Sequence, residues 1–109
     1  MITTHVLDTA LGKPAAGVLV TLEIREGTEW RPLGTGATDA DGRLRTLTPP
    51  AIAAGVYRIS FDTGAYFARS GTAAFYPEVR IAFEVQDPAA HFHVPLLLSP
   101  FGYSTYRGS

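Results

Sequence analysis

The sequence predicts an all-β fold: a two-sheet antiparallel β-sandwich with one short helix. Three observations lead there. Glycine and proline, 11 and 8 among 109 residues, cut the chain into short pieces. Several pieces alternate apolar and polar side chains with a period of two, as a strand with one buried face does. Only one piece, residues 63–69, reads as a helix, about two turns long.

The elements follow in order. Ile2 to Asp8 is a first strand, ending at Leu11-Gly12-Lys13-Pro14. Gly17 to Ile24 places Val18, Val20, Leu22 and Ile24 on one face. Trp30 to Thr38 is a third strand. It stops at Asp39-Ala40-Asp41-Gly42, where Asp side chains bond their own backbone and Gly accepts positive φ. Arg43 to Leu47 is a short strand before Pro49-Pro50, and Gly55 to Phe61 alternates again. After the helix, Val79 to Val85 presents Val79, Ile81, Phe83 and Val85 on one face. His91 to Leu98 and Tyr103 to Arg107 flank Ser99-Pro100-Phe101-Gly102, whose Pro and Gly suit a type I turn. About seven or eight short strands and one helix fill a single domain, residues 1–109.

Composition excludes several classes of function. Nine basic and ten acidic residues, with no block of like charge, give no electrostatic footprint for nucleic acid or an anionic membrane. No apolar run approaches the roughly 20 residues that span a bilayer. The chain has no cysteine, which removes disulfides, thiolate catalysis and Cys-based metal sites. Met1 to His5 carries no charged and apolar leader pattern, so a cytoplasmic protein is expected. A domain this small gains stability from oligomerisation.

Chemistry concentrates near the last hairpin. A turn at Ser99–Gly102 pairs Leu98 with Tyr103 and carries His93 to a position opposite Gly108, beside Arg107 and Ser109. A slip of one residue would exchange the faces, but not the proximity. Phe92, Val94, Leu96 and Leu98 form the core face, and His91, His93, Pro95 and Leu97 the other. That outer face is histidine at one end and apolar at the other, as at an interface. His93 is a candidate general base, because imidazole titrates near neutral pH, but on spacing alone the plain surface or interface histidine bonded to backbone prevails. His91-x-His93 offers two metal-type ligands and no third, so no metal site is expected. His5 alone says less. The Asp39–Gly42 turn looks like the start of a calcium loop but lacks the bidentate Glu at the twelfth position, which leaves a simple turn. Arg43 and Arg45, two apart, read as solvated charges or a substrate clamp; on spacing alone the solvated reading prevails.

Taken together, the motifs resemble a known family. His5-Val6-Leu7-Asp8, Gly12-Lys13-Pro14-Ala15 and Thr38-Asp39-Ala40-Asp41-Gly42-Arg43 resemble the first half of the transthyretin-related proteins. Phe75-Tyr76-Pro77-Glu78 and His91 through Ser109 resemble the second half. The closing Tyr106-Arg107-Gly108-Ser109 matches the tetrapeptide of the branch that hydrolyses 5-hydroxyisourate. The likeness spans the whole chain.

This resemblance implies a prealbumin-like sandwich assembled as a homotetramer, a dimer of dimers, with active sites between dimers. It implies hydrolysis of the cyclic amide of 5-hydroxyisourate, the product of urate oxidation, with no metal or organic cofactor. The family's catalytic residues fall on His5, Arg43, His93 and Ser109. Its substrate contacts add Tyr106, Arg107 and Gly108. Amide hydrolysis needs an activated water, a stabilised oxyanion and a proton for the leaving nitrogen. His5 or His93 could exchange the protons, and Arg43 could hold the developing charge. Ser109 would offer a hydroxyl, an N–H and a terminal carboxylate. Two other readings stand beside this one: a carrier of apolar aromatic ligands, as transthyretin is, and a structural or adhesion domain. Transthyretin replaces the two histidines and the arginine and lacks the terminal motif.

Overall fold

Alternation along the strands sorts the side chains into one shared interior. The computed structural model describes residues 1–109. Its elements run β1 (Ile2–Asp8), β2 (Lys13–Pro14), β3 (Leu19–Glu26), β4 (Glu29–Ala37), β5 (Arg43–Leu44), β6 (Gly55–Phe61), α1 (Thr63–Arg69), β7 (Val79–Val85), β8 (Phe92–Ser99) and β9 (Gly102–Thr105). Five strands form one sheet in the order β2-β1-β8-β9, with β5 also paired to β1. The other sheet is β4-β3-β6-β7. A cluster of 19 buried apolar side chains, among them Val6, Leu22, Ile59, Phe61 and Leu96, fills the space between them. No helix is long and apolar enough to cross a membrane.

Most expected elements fall where the periodicity puts them, and the departures have physical reasons. One pair is not antiparallel: β1 and β8 run parallel, from Ile2 beside Phe92 to Asp8 beside Leu98. A tight turn forces antiparallel pairing only on strands it joins, and these two come from opposite ends of the chain. The expected strand from Arg43 to Leu47 keeps only Arg43 and Leu44 on the ladder. Leu47 leaves it and buries its side chain in the core. The two-residue β2 has too little alternation to be read from sequence. Strand β9 ends at Thr105 and not at Arg107, but the chain touches β8 again through a bridge between His93 and Gly108.

The helix is fastened at its start and at its middle. Asp62 caps it by accepting the Ala65 N–H, 3.2 Å away, which satisfies one of the donors a helix start leaves open. Tyr66 donates its hydroxyl to Asp8 Oδ2 at 2.8 Å, and Asp8 Oδ1 accepts the Ala10 and Leu11 N–H groups. Burial, reinforced by the bond to Asp8, pushes the Tyr66 hydroxyl up to about 12.

Candidate active site

The site is built on the outer face of the five-stranded sheet. Along β1, Ile2, Thr4, Val6 and Asp8 are buried toward the core. Alternation therefore sends Thr3, His5 and Leu7 outward. Register then fixes their neighbours. Thr3 lies beside His93, His5 beside Pro95 and Leu7 beside Leu97 on β8, while His5 also faces Arg43 on β5. Paired residues point the same way, so His5, Arg43 and His93 share one face. Diagonal neighbours on such a ladder are about 7–8 Å apart, within reach of long side chains.

Arg43 is aimed by the turn before it. Asp39 Oδ1 accepts the N–H of Asp41 at 2.8 Å and of Arg43 at 3.0 Å. The bond from the Arg43 N–H is the main reason the Asp39 carboxyl sits below its usual range. Gly42 closes the turn at φ +75, and a Cβ there would run into the Val6 carbonyl oxygen. Val6 N–H donates to the Gly42 carbonyl at 2.7 Å, which clamps the turn to β1. Arg43 consequently starts β5 directly opposite His5.

Thr3 organises the histidines. Its Oγ1 lies 2.8 Å from His93 Nδ1 and 2.9 Å from His91 Nε2. The two rings are 6.3 Å apart, tilted by 50°. Partial burial lowers the pKa of His93 from its ordinary value, and Arg43, with the neighbouring His91, His5 and Arg45, adds to that. The shift favours the uncharged imidazole of His93 beside the permanent cations Arg43 and Arg45.

The last residues close one side. The Gly108 N–H donates to the His93 carbonyl at 2.8 Å. Ser109 joins Thr3, Arg43, Arg45, His91 and His93 around an open cavity of about 350 Å³. That cavity suits a small polar molecule.

The expected residues do not all meet there. His93, Arg43 and Ser109 line the cavity, and His5 adjoins it through its pairing with Arg43. Tyr106 and Arg107 line a different, mostly apolar cleft with Ile81, Phe83 and Phe92. There the Arg107 guanidinium stacks 4.8 Å from the Phe92 ring centre. Gly108 contributes its backbone bond to His93. Sequence reasoning passed over Thr3, and gave His91 and Arg45 no part in the site. Thr3 precedes His5 by two on the same strand face, which is the signal that could have found it.

The cavity draws a fixed cation, a neutral imidazole and several donors together, a set that can move a proton and hold a developing negative charge. Similarity to known proteins points to the same chemistry. The model of the HIUase/Transthyretin family matches residues 2–108. The chain is 48% identical over 110 residues to 5-hydroxyisourate hydrolase of Salmonella typhimurium, covering 100% of this chain and 81% of that one. The structure of Klebsiella pneumoniae 5-hydroxyisourate hydrolase superposes with a TM-score of 0.88 at 42% identity, covering 99% of this chain and 98% of that chain. Transthyretin from Sparus aurata superposes with a TM-score of 0.92 at 33% identity, covering 98% and 95%. The backbone thus fits both branches closely, transthyretin slightly better, while sequence identity favours the hydrolase. The chain belongs to the HIUase/transthyretin family.

Proposed function

We propose that this protein is a 5-hydroxyisourate hydrolase. It opens the cyclic amide of 5-hydroxyisourate to give 2-oxo-4-hydroxy-4-carboxy-5-ureidoimidazoline in urate degradation. The observation that carries the reading is the convergence of His5, Arg43 and His93 on one outer sheet face, in a chain 48% identical to such a hydrolase.

The roles follow from charge and position. His93, kept neutral, takes a proton from water as the water attacks the amide carbonyl carbon. Arg43 cannot be deprotonated in a protein, and its planar donor fork holds the oxyanion that forms. As the carbon–nitrogen bond breaks, the His93 imidazolium returns the proton to the leaving nitrogen. General acid–base transfer of this kind contributes about 10²–10⁴-fold. His5, facing Arg43, binds the substrate from the other side, and Ser109 orients it or the attacking water. Gly108 holds that terminal segment against His93, and Tyr106 and Arg107 anchor it in the neighbouring cleft. None of these steps draws on a metal or organic cofactor, so chelator is expected to leave the rate intact.

The proposal extends to assembly. The working unit is one domain, residues 1–109, in a homotetramer arranged as a dimer of dimers. Leu7 and Leu97, both half-buried, continue the site's face as a short apolar strip beside the buried Pro95, which supports its closure by another subunit. A cytoplasmic setting is part of the same reading.

The direct test is the ultraviolet absorbance decay of freshly generated 5-hydroxyisourate with purified protein. Faster decay than in buffer is expected. Equal decay overturns the proposal, and tight binding of an aromatic ligand without turnover would replace it with a carrier.

A further inference from the structure

We infer that Thr3 is a positioning residue that fixes the tautomer of His93, with His91 as the far end of the relay. This inference rests on the hydrolase reading for its consequence in catalysis, and on geometry alone for its physical content.

Thr3 is 5% exposed, so its hydroxyl has little access to water and depends on protein partners. Both partners are histidine nitrogens, His93 Nδ1 at 2.8 Å and His91 Nε2 at 2.9 Å. A hydroxyl has one hydrogen to donate and lone pairs to accept with. It can therefore donate to only one of the two rings. If it donates to His93, that ring carries its proton on Nε2 and has no lone pair left for a substrate or water. If it donates to His91 Nε2, it accepts from His93 Nδ1–H, and the free lone pair of His93 lies on Nε2. Of these two only the second makes Nε2 a base; accepting from both rings would do so too, but would leave the hydrogen of this buried hydroxyl without a partner.

The second arrangement also survives catalysis. Once His93 has taken a proton on Nε2, both of its ring nitrogens are donors, and Thr3 must accept from Nδ1. It already does. The Thr3 hydroxyl goes on donating to the lone pair of His91 Nε2, with the His91 proton on Nδ1. No hydroxyl rotation is needed when the base becomes charged. Backbone register holds the arrangement in place, because Thr3 and His93 are direct neighbours on the parallel β1–β8 ladder. Arg43, Arg45 and His5 also face His93, but as sources of charge, and none of them is hydrogen-bonded to its Nδ1.

The experiment pairs ¹⁵N NMR of the histidine rings with turnover of 5-hydroxyisourate in wild type, Thr3→Val and Thr3→Ser. Valine keeps the shape and removes the hydroxyl. Wild type at mildly alkaline pH should show a protonated Nδ1 and an unprotonated Nε2 at His93. Thr3→Val should give a mixture of tautomers and lower kcat by about tenfold or more, with KM little changed. Thr3→Ser should restore both. If Thr3→Val does not fold, His91→Ala provides the same readout. Removing the acceptor should mix the His93 tautomers while Thr3 stays in place.

A wild-type His93 with its proton on Nε2 would overturn the inference, as would tautomers unchanged in the folded variant. Failure of the wild type to hydrolyse 5-hydroxyisourate would overturn the proposed function instead, and the ring spectra would still decide the role of Thr3.

Discussion

The Gly108 N–H donates to the His93 carbonyl at 2.8 Å, and this single bridge holds the end of the chain against the candidate base. It depends on glycine. A Cβ at Gly108 would lie 2.5 Å from His93 Cδ2 and 3.1 Å from its Cβ and Cγ. Either the His93 ring or the terminal segment would have to move.

Gly108→Ala should therefore lower kcat/KM by at least about tenfold, since small displacements of a reacting group carry large rate penalties. Gly108 lies outside the core, so the melting temperature should change little. Steady-state kinetics and a thermal melt check both halves. Full activity would show that the terminal segment does not position His93.

The pH dependence follows from the sign of the His93 shift. Its neutral form is the base, and burial with Arg43, His91, His5 and Arg45 around it lowers its pKa from 6.5. The acid limb of kcat/KM, which reports the free enzyme, should accordingly fall below pH 6.5. Arg45→Gln removes one charge that opposes the imidazolium and should move the limb upward. The stability contribution has the same direction: a neutral folded histidine is favoured above its ordinary value, and that contribution is lost as pH falls. A wild-type limb above 6.5 would contradict the assignment.

The strands that carry the site were legible because their side chains alternate and their turns have distinct chemistry. The Ser99–Gly102 turn correctly set Leu98 opposite Tyr103 and His93 opposite Gly108. The Asp39–Gly42 turn was equally plain. Pairing between strands distant in sequence was not legible. Nothing local says that β1 runs parallel to β8, and that pairing alone sets Thr3 beside His93. For the same reason spacing alone left Arg43 a solvated charge, and only the family resemblance marked it as catalytic; the β1–β5 pairing is what sets it opposite His5. His91 could be weighed as a metal ligand or a surface group, because its partner, 88 residues away, gives no sequence signal.

Tyr66 separates stability from catalysis. Its hydroxyl bonds the buried Asp8 at 2.8 Å, on the core side of β1 and away from the cavity. Tyr66→Phe removes that donor and should lower stability by about 1.5–3 kcal/mol, the usual range for a hydrogen bond to a charged group. Hydrolysis should be unaffected at temperatures where the fold persists. Chemical denaturation gives the first quantity and the absorbance assay the second. A loss of kcat without a loss of stability would mean that the helix reaches the site.

The central claim is that His5, Arg43 and His93 act on one substrate as one unit, and rate additivity tests it most directly. Hydrolysis of 5-hydroxyisourate should be measured for the three single alanine variants and for the triple variant. Residues acting as a unit are strongly non-additive, so the triple variant should be about as slow as the worst single one. Losses that multiply across the three positions, or full activity in any single variant, would contradict it.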